Sequence, residues 1–256
     1  MPTPDKGVQT KPSLSSLALV GFVLSVLAVA AAGGAALGTR SGWWDFRKGF
    51  QVLRWGAYFG AVGTAISAIG IGVARPGGRR RGFPLAIAGI VLGAAAFAVP
   101  ANWYRMAKGV PMIHDITTDT ENPPEFVSIL PLRKDASNPA KYGGPGIAAK
   151  QRAAYPDIRP LEIGIPTAKA YEKALATARQ MGWQIVEGNP LEGRIEATAT
   201  TRWFGFKDDV VIRIMPTSSN GCRLDIRSVS RVGKSDIGTN ARRIRTFLKK
   251  FNEPNS

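Results

Sequence analysis

The segment LSSLALVGFVLSVLAVAAAGGAA, Leu14 to Ala36, carries no charged side chain. A helix needs about 20 such residues to cross the hydrocarbon of a bilayer. Every backbone polar group must be bonded internally there, so helix is the conformation expected. Trp55–Ala74 and Phe83–Ala101 are equally free of charge. The first hundred residues therefore read as three transmembrane helices, at about 14–36, 55–74 and 83–101, in a membrane module spanning 1–104. Trp43, Trp44, Trp55, Trp103 and Tyr104 stand at the span ends, where amphipathic rings prefer the headgroups. Read instead as a cleaved signal peptide, the first segment would use Lys6 and Lys11 as its basic region and Ala28-Val29-Ala30 as its cleavage site. Its apolar run is longer than such a segment needs.

Gly56 and Gly60, Gly89 and Gly93, with Ala57, Ala61 and Ala65, recur at spacings that let helix backbones approach closely. Packing within one chain is the simpler reading of them, and a dimer motif the other. No Asp, Glu, Lys, Arg or His lies inside a span, which argues against proton or ion transport by these helices. Orientation rests on arginine density. Arg75, Arg79, Arg80 and Arg81 crowd the loop before the third span, and Lys6 and Lys11 precede the first. Cytoplasmic loops collect such charge, so the amino terminus is expected inside the cell. Arg40, Arg47, Lys48, Arg54, Arg105 and Lys108 on the opposite side equal that number. The expected localisation is a multi-pass protein of the plasma (inner) membrane, with its soluble domain on the non-cytoplasmic side.

The whole chain of 256 residues has 34 Lys and Arg against 18 Asp and Glu, a formal charge of +16. Residues 1–101 hold ten bases and two acids; residues 102–256 hold 24 and 16. In the second half both signs interleave. This suits a mixed surface near anionic lipid better than a nucleic-acid footprint. Cys222 is the single cysteine, so no internal disulfide forms; strand parity makes it a small core residue. His114 is the single histidine, which removes most zinc sites.

Eight prolines and Gly143-Gly144 between 105 and 160 suggest an extended linker with little regular structure, part of it lying along the domain. A soluble domain, 161–256, follows. Leu161, Ile163 and Ile165 alternate as a strand; Ala168, Tyr171, Leu175 and Ala178 mark a helix over Thr167–Met181; Trp183–Glu187 is a strand. Arg194–Arg202, Asp208–Met215 and Cys222–Ser230 each alternate, and Asn220-Gly221 turns between the last two. Ile237, Ala241, Ile244, Leu248 and Phe251 stripe a helix from about Asp236 to Phe251. The order β-α-β-β-β-β-α predicts an α+β domain, an antiparallel sheet covered on one face by two helices.

Ile113–Thr120, Arg202–Asp209 and above all Arg227–Ile244, with its serine, arginine, glycine, aspartate, asparagine and arginine positions, make residues 112–252 resemble the domain-of-unknown-function 1499 family. Bacterial members with membrane spans ahead of the domain are familiar, so the resemblance extends to the layout. It implies a family and no activity.

Matching apolar faces sets Thr201 opposite Val210 and Arg202 opposite Asp209. It returns Ser228–Arg231 to the same end of the sheet. By parity Asp208 faces the helices and Asp209 an open face. Arg202, Asp208, Asp209, Ser230, Arg231, Asp236 and Asn240 thus form a candidate polar cluster. It could be structural, with Ser235 or Asp236 capping the last helix. It could instead be a ligand-binding site at a helix amino terminus, where free N–H groups favour an anion. In the mixed case Asp236 and Asn240 serve structure while Arg231 and Asp208 serve function. His114, Asp115 and Asp119 are the weak candidates for metal; no metal, cofactor or catalytic residue is expected. Expected partners are the lipid bilayer and, beyond it, anionic lipid headgroups or an envelope protein, but no nucleic acid; oligomeric state stays open. The leading reading is a membrane-anchored, noncatalytic binding or interaction domain of the cell envelope. An envelope assembly factor acting through its helices and an envelope hydrolase are the alternatives.

Overall fold

The computed structural model describes residues 12–78, 80–218 and 220–253. Lys6, Lys11 and Arg79, on which part of the orientation reading rests, lie outside the described residues. The chain divides into two compact units, 1–104 and 105–256.

The first unit holds α1 (Ser16–Arg40), α2 (Phe46–Val73) and α3, which begins at Phe83 and runs to Lys108. All three are long and apolar enough to cross a membrane. Each extends past its uncharged stretch, because helix continues through basic residues such as Arg47 and Lys48. Ser15 caps α1 by accepting the Ala18 N–H, and Asp45 caps α2 by accepting that of Arg47. Ahead of α1, two-residue strand β1 (Ser13–Leu14) pairs in parallel with β2 (Arg80–Arg81), which precedes α3. The buried positions of the helices are Ala, Gly and Ser. The large apolar side chains, among them Leu27, Ile69 and Val91, point outward. That inversion is expected where the surroundings are lipid tails and close backbone packing supplies the contact. A Cβ on Gly60 would stand 2.7 Å from the Gly93 carbonyl oxygen, so these glycines serve packing within the chain.

In the second unit β3 (Asp115–Thr117) leads to a 3-10 helix (Leu130–Arg133) and α4 (Pro145–Ala154). Then come β4 (Leu161–Ile163), α5 (Thr167–Gln180), β5 (Gln184–Asn189), β6 (Arg194–Thr200), β7 (Lys207–Pro216), β8 (Cys222–Ser230) and α6 (Thr239–Asn252). The sheet order is β3-β8-β7-β6-β5, with β4 also paired to β8, and all pairs are antiparallel. Val210, Ile212, Ile214, Cys222, Leu224 and Ile226 face the core with Ala170, Ala174 and Ala178 of α5 and Ala241, Ile244 and Phe247 of α6. Trp183 stacks on Phe247 at 5.5 Å. The α+β expectation, an antiparallel sheet with two helices over one face, holds.

Three expectations need correction. Segment 105–160 is no extended linker: it supplies the edge strand β3, the 3-10 helix and α4 to this unit. The face opposite the helices is covered rather than open. Phe126 and Ile129 pack there on Val211 and Val229. The β6–β7 register is four residues from the expected one: Thr198, not Arg202, lies opposite Asp209, and Ala197 opposite Val210. The turn closes early, with the Thr201 N–H on the Phe206 carbonyl at 2.8 Å and the Phe206 N–H on Thr201 Oγ1 at 2.9 Å. A shift of four preserves parity, so every side chain keeps its predicted face. The last helix also starts late, at Thr239, because Ile237 (φ 52°) and Gly238 (φ 71°) adopt left-handed backbone before it. Ala168, expected on the apolar stripe of α5, is exposed.

Candidate functional site

Alternation along β7 sends the neighbours Asp208 and Asp209 to opposite faces, so the candidate cluster is two clusters. Asp208 faces α6 and receives Arg243 Nη2. Arg243 also donates to Ser228 Oγ at 2.9 Å and to Asn240 Oδ1. Asn240 has no exposed surface. It donates from Nδ2 to Ser230 Oγ and to the His114 carbonyl, each at 3.0 Å, and accepts Ser228 Oγ at 2.7 Å. This group ties β8 and the chain entering β3 to the first turn of α6. Asp236 precedes it, its Oδ1 accepting the Gly238 N–H at 2.8 Å and its Oδ2 the Asn240 N–H at 2.6 Å. The helix amino terminus is therefore already filled by a carboxylate of its own chain. Burial pushes the Asp236 carboxyl above its ordinary pKa, against those two donors.

On the other face Asp209 is fully buried. Arg231 grips it with Nε on Oδ2 and Nη2 on Oδ1, both at 2.9 Å. Thr198 Oγ1 donates at 2.8 Å and Arg133 Nη1 completes the ring. Arg231 Nη1 reaches the Leu132 carbonyl at 2.7 Å, and Asn138 Nδ2 bonds the carbonyls of Ser230 and Gly233. Asp209 thus pins the covering segment to the sheet. Arg202 lies beyond the β6–β7 ladder, exposed in the turn, and Thr198 takes the position facing Asp209.

The same face carries three more buried carboxylates. Arg227 Nε and Nη2 clasp Asp115 at 2.9 and 2.8 Å, and the guanidinium lies 5.1 Å from the Phe126 ring centroid and 5.4 Å from that of Tyr142. Burial pushes the Asp115 carboxyl up while Arg227 pulls it down. Asp225 accepts from Arg213 and Arg223, and Asp119 pairs with the same two arginines. Glu196 receives the N–H groups of Val127, Ser128 and Ile129 between 2.9 and 3.1 Å, with Arg194 beside it. Taking ions out of water costs several kcal/mol each, so such groups persist only when fully paired.

The weak metal candidates do not converge. Asp115 belongs to Arg227, and Asp119 turns its own loop by accepting the N–H groups of Glu121 and Asn122. Among the described residues no three His, Cys, Asp or Glu side chains stand where a metal could be held. Arg243 was findable: it follows Asn240 by three residues, one helix turn along the same face. Arg133 and Asn138 carried no such signal, because their partners lie 76 and 92 residues away in sequence.

The family model described as "Protein of unknown function (DUF1499)" matches residues 115–251, from β3 to the last turn of α6. No curated protein matches the chain.

Proposed function

This chain belongs to the DUF1499 family of proteins of unknown function, and from that premise we propose that it is a membrane-anchored, noncatalytic interaction domain of the cell envelope. The observation that carries this reading is that the carboxylates of the cluster are all bonded within the chain. Asp208 is bonded to Arg243, Asp209 to Arg231 and Arg133, and Asp236 to the backbone of α6. A general acid or base must reach the proton it moves, and a nucleophile must present a free atom. These side chains are spent on holding β3, β7, β8, α6 and the covering segment together. Binding is then left to the exposed surface. The three apolar helices are the anchor, and Arg75, Arg80 and Arg81 support a cytoplasmic second loop with the domain on the other side.

The test is chemical crosslinking in native membranes, read by mass spectrometry, on wild type and Asp208→Asn. Adducts retained by Asp208→Asn support the reading. Loss of every adduct in a variant that melts like wild type would put binding at the polar cluster and overturn it.

A further inference from the structure

Among the described residues of this unit, the β6–β7 turn is where a large aromatic ring stands exposed beside basic residues. Trp203 is 63% exposed. Its neighbour Phe204 is buried and stacks on Phe206, with ring centroids 5.7 Å apart and planes at 8°. The two Thr201–Phe206 hydrogen bonds close the loop below, and Gly205 takes the left-handed conformation (φ 69°) that the turn requires. Exposed Arg202 and Lys207 bracket Trp203–Phe206 in sequence. The Arg231 N–H bonds the Lys207 carbonyl at 3.0 Å, which brings exposed Lys234 to the same end. Thr200 and Arg242 line one shallow cleft, so the first turn of α6 lies there too. No acid occurs from Ala197 to Lys207, and Asp208 and Asp209 are buried under arginines.

We infer that this turn docks into the interface of an anionic lipid bilayer, Trp203 entering the headgroup level and Lys207 and Lys234 meeting lipid phosphates. An indole prefers that level because its ring is apolar and its N–H is polar. Basic side chains add about 1 kcal/mol each near an anionic surface. The proposal deepens the membrane-anchored reading and rests on it. Six residues, 109–114, join α3 to β3, at most about 20 Å of chain, so an anchored domain meets lipid at high effective concentration.

The experiment places the full chain in nanodiscs containing phosphatidylcholine brominated near the top of the acyl chain, with or without phosphatidylglycerol. Wild-type emission minus that of Trp203→Phe isolates Trp203. The expected result is loss of this difference emission in the anionic discs, weaker loss in the zwitterionic ones, and recovery in Lys207→Gln with Lys234→Gln. A difference emission unquenched in both discs overturns the proposal and leaves the turn to a protein partner. Equal quenching in both overturns the role of charge. The emission shared with Trp203→Phe reports the anchor, since Trp43 and Trp55 flank or enter the spans. If it too escapes quenching, the anchored reading itself fails.

Discussion

Arg231 holds both carboxylate oxygens of Asp209, one from Nε and one from Nη2, each at 2.9 Å. The arginine stands just past the end of β8 and the aspartate near the start of β7, so the pair locks the two central strands at one end. Arg133 brings the covering segment to the same carboxylate. Asp209→Ala would leave two arginines facing a void, at a cost of about 3–5 kcal/mol. Arg231→Ala leaves Arg133 in place and should cost less, about 1–3 kcal/mol. Arg231→Lys cannot restore the fork. Denaturant unfolding of the 105–256 unit reads all three.

Tyr142 offers the opposite case. Its ring covers Arg227, while its hydroxyl is buried without a hydrogen-bond partner among the described residues. Tyr142→Phe should be neutral or stabilising by up to about 1 kcal/mol, since it removes a stranded polar group. Burial pushes the Tyr142 pKa up to about 12. The folded value lies above the unfolded one, so this contribution is present below pH of about 10 and fades as pH rises towards 12. Burial also raises Tyr155 and Tyr171, so an ultraviolet titration should show late phenolate formation whose component near pH of about 12 Tyr142→Phe removes.

Asp236 caps α6 from outside the helix. Asp236→Ala should cost about 0.5–2 kcal/mol. Arg202→Ala, in an exposed turn, should change stability by less than about 0.5 kcal/mol. Thermal melts of the two variants check the contrast, and equal losses would place Arg202 in the cluster after all.

Much of this arrangement is visible in the sequence, and the missing parts share a cause. Val210, Ile212 and Ile214 alternate, so β7 and its faces are legible, and the wrong partner for Asp209 left those faces intact. Asn240 and Asp236 sit where a helix start should be. What is not legible is β3, three residues long, and the segment behind it. Asp115 meets Arg227 across 112 residues of sequence, and no periodicity reports a contact of that range. Proline-rich irregular chain reads as linker whether it hangs free or covers a sheet. Here Phe126, Ile129 and Arg133 make it a cover.

Orientation is testable in intact cells. In a Cys222→Ala chain, Ser16→Cys, Gly78→Cys and Ser256→Cys are each exposed to an impermeant maleimide. Labelling at 256 and none at 78 is expected from the arginines of the second loop. Labelling at 78 alone would invert the protein.

The central claim is that the polar cluster holds the fold and no ligand. The direct measurement pairs the melting temperatures of Asp208→Asn, Arg231→Ala, Asp236→Ala and Asn240→Ala with their ability to complement a deletion strain. Function should fall in proportion to stability in all four. Asp208→Asn or Arg231→Ala melting like wild type yet failing to complement would contradict the account.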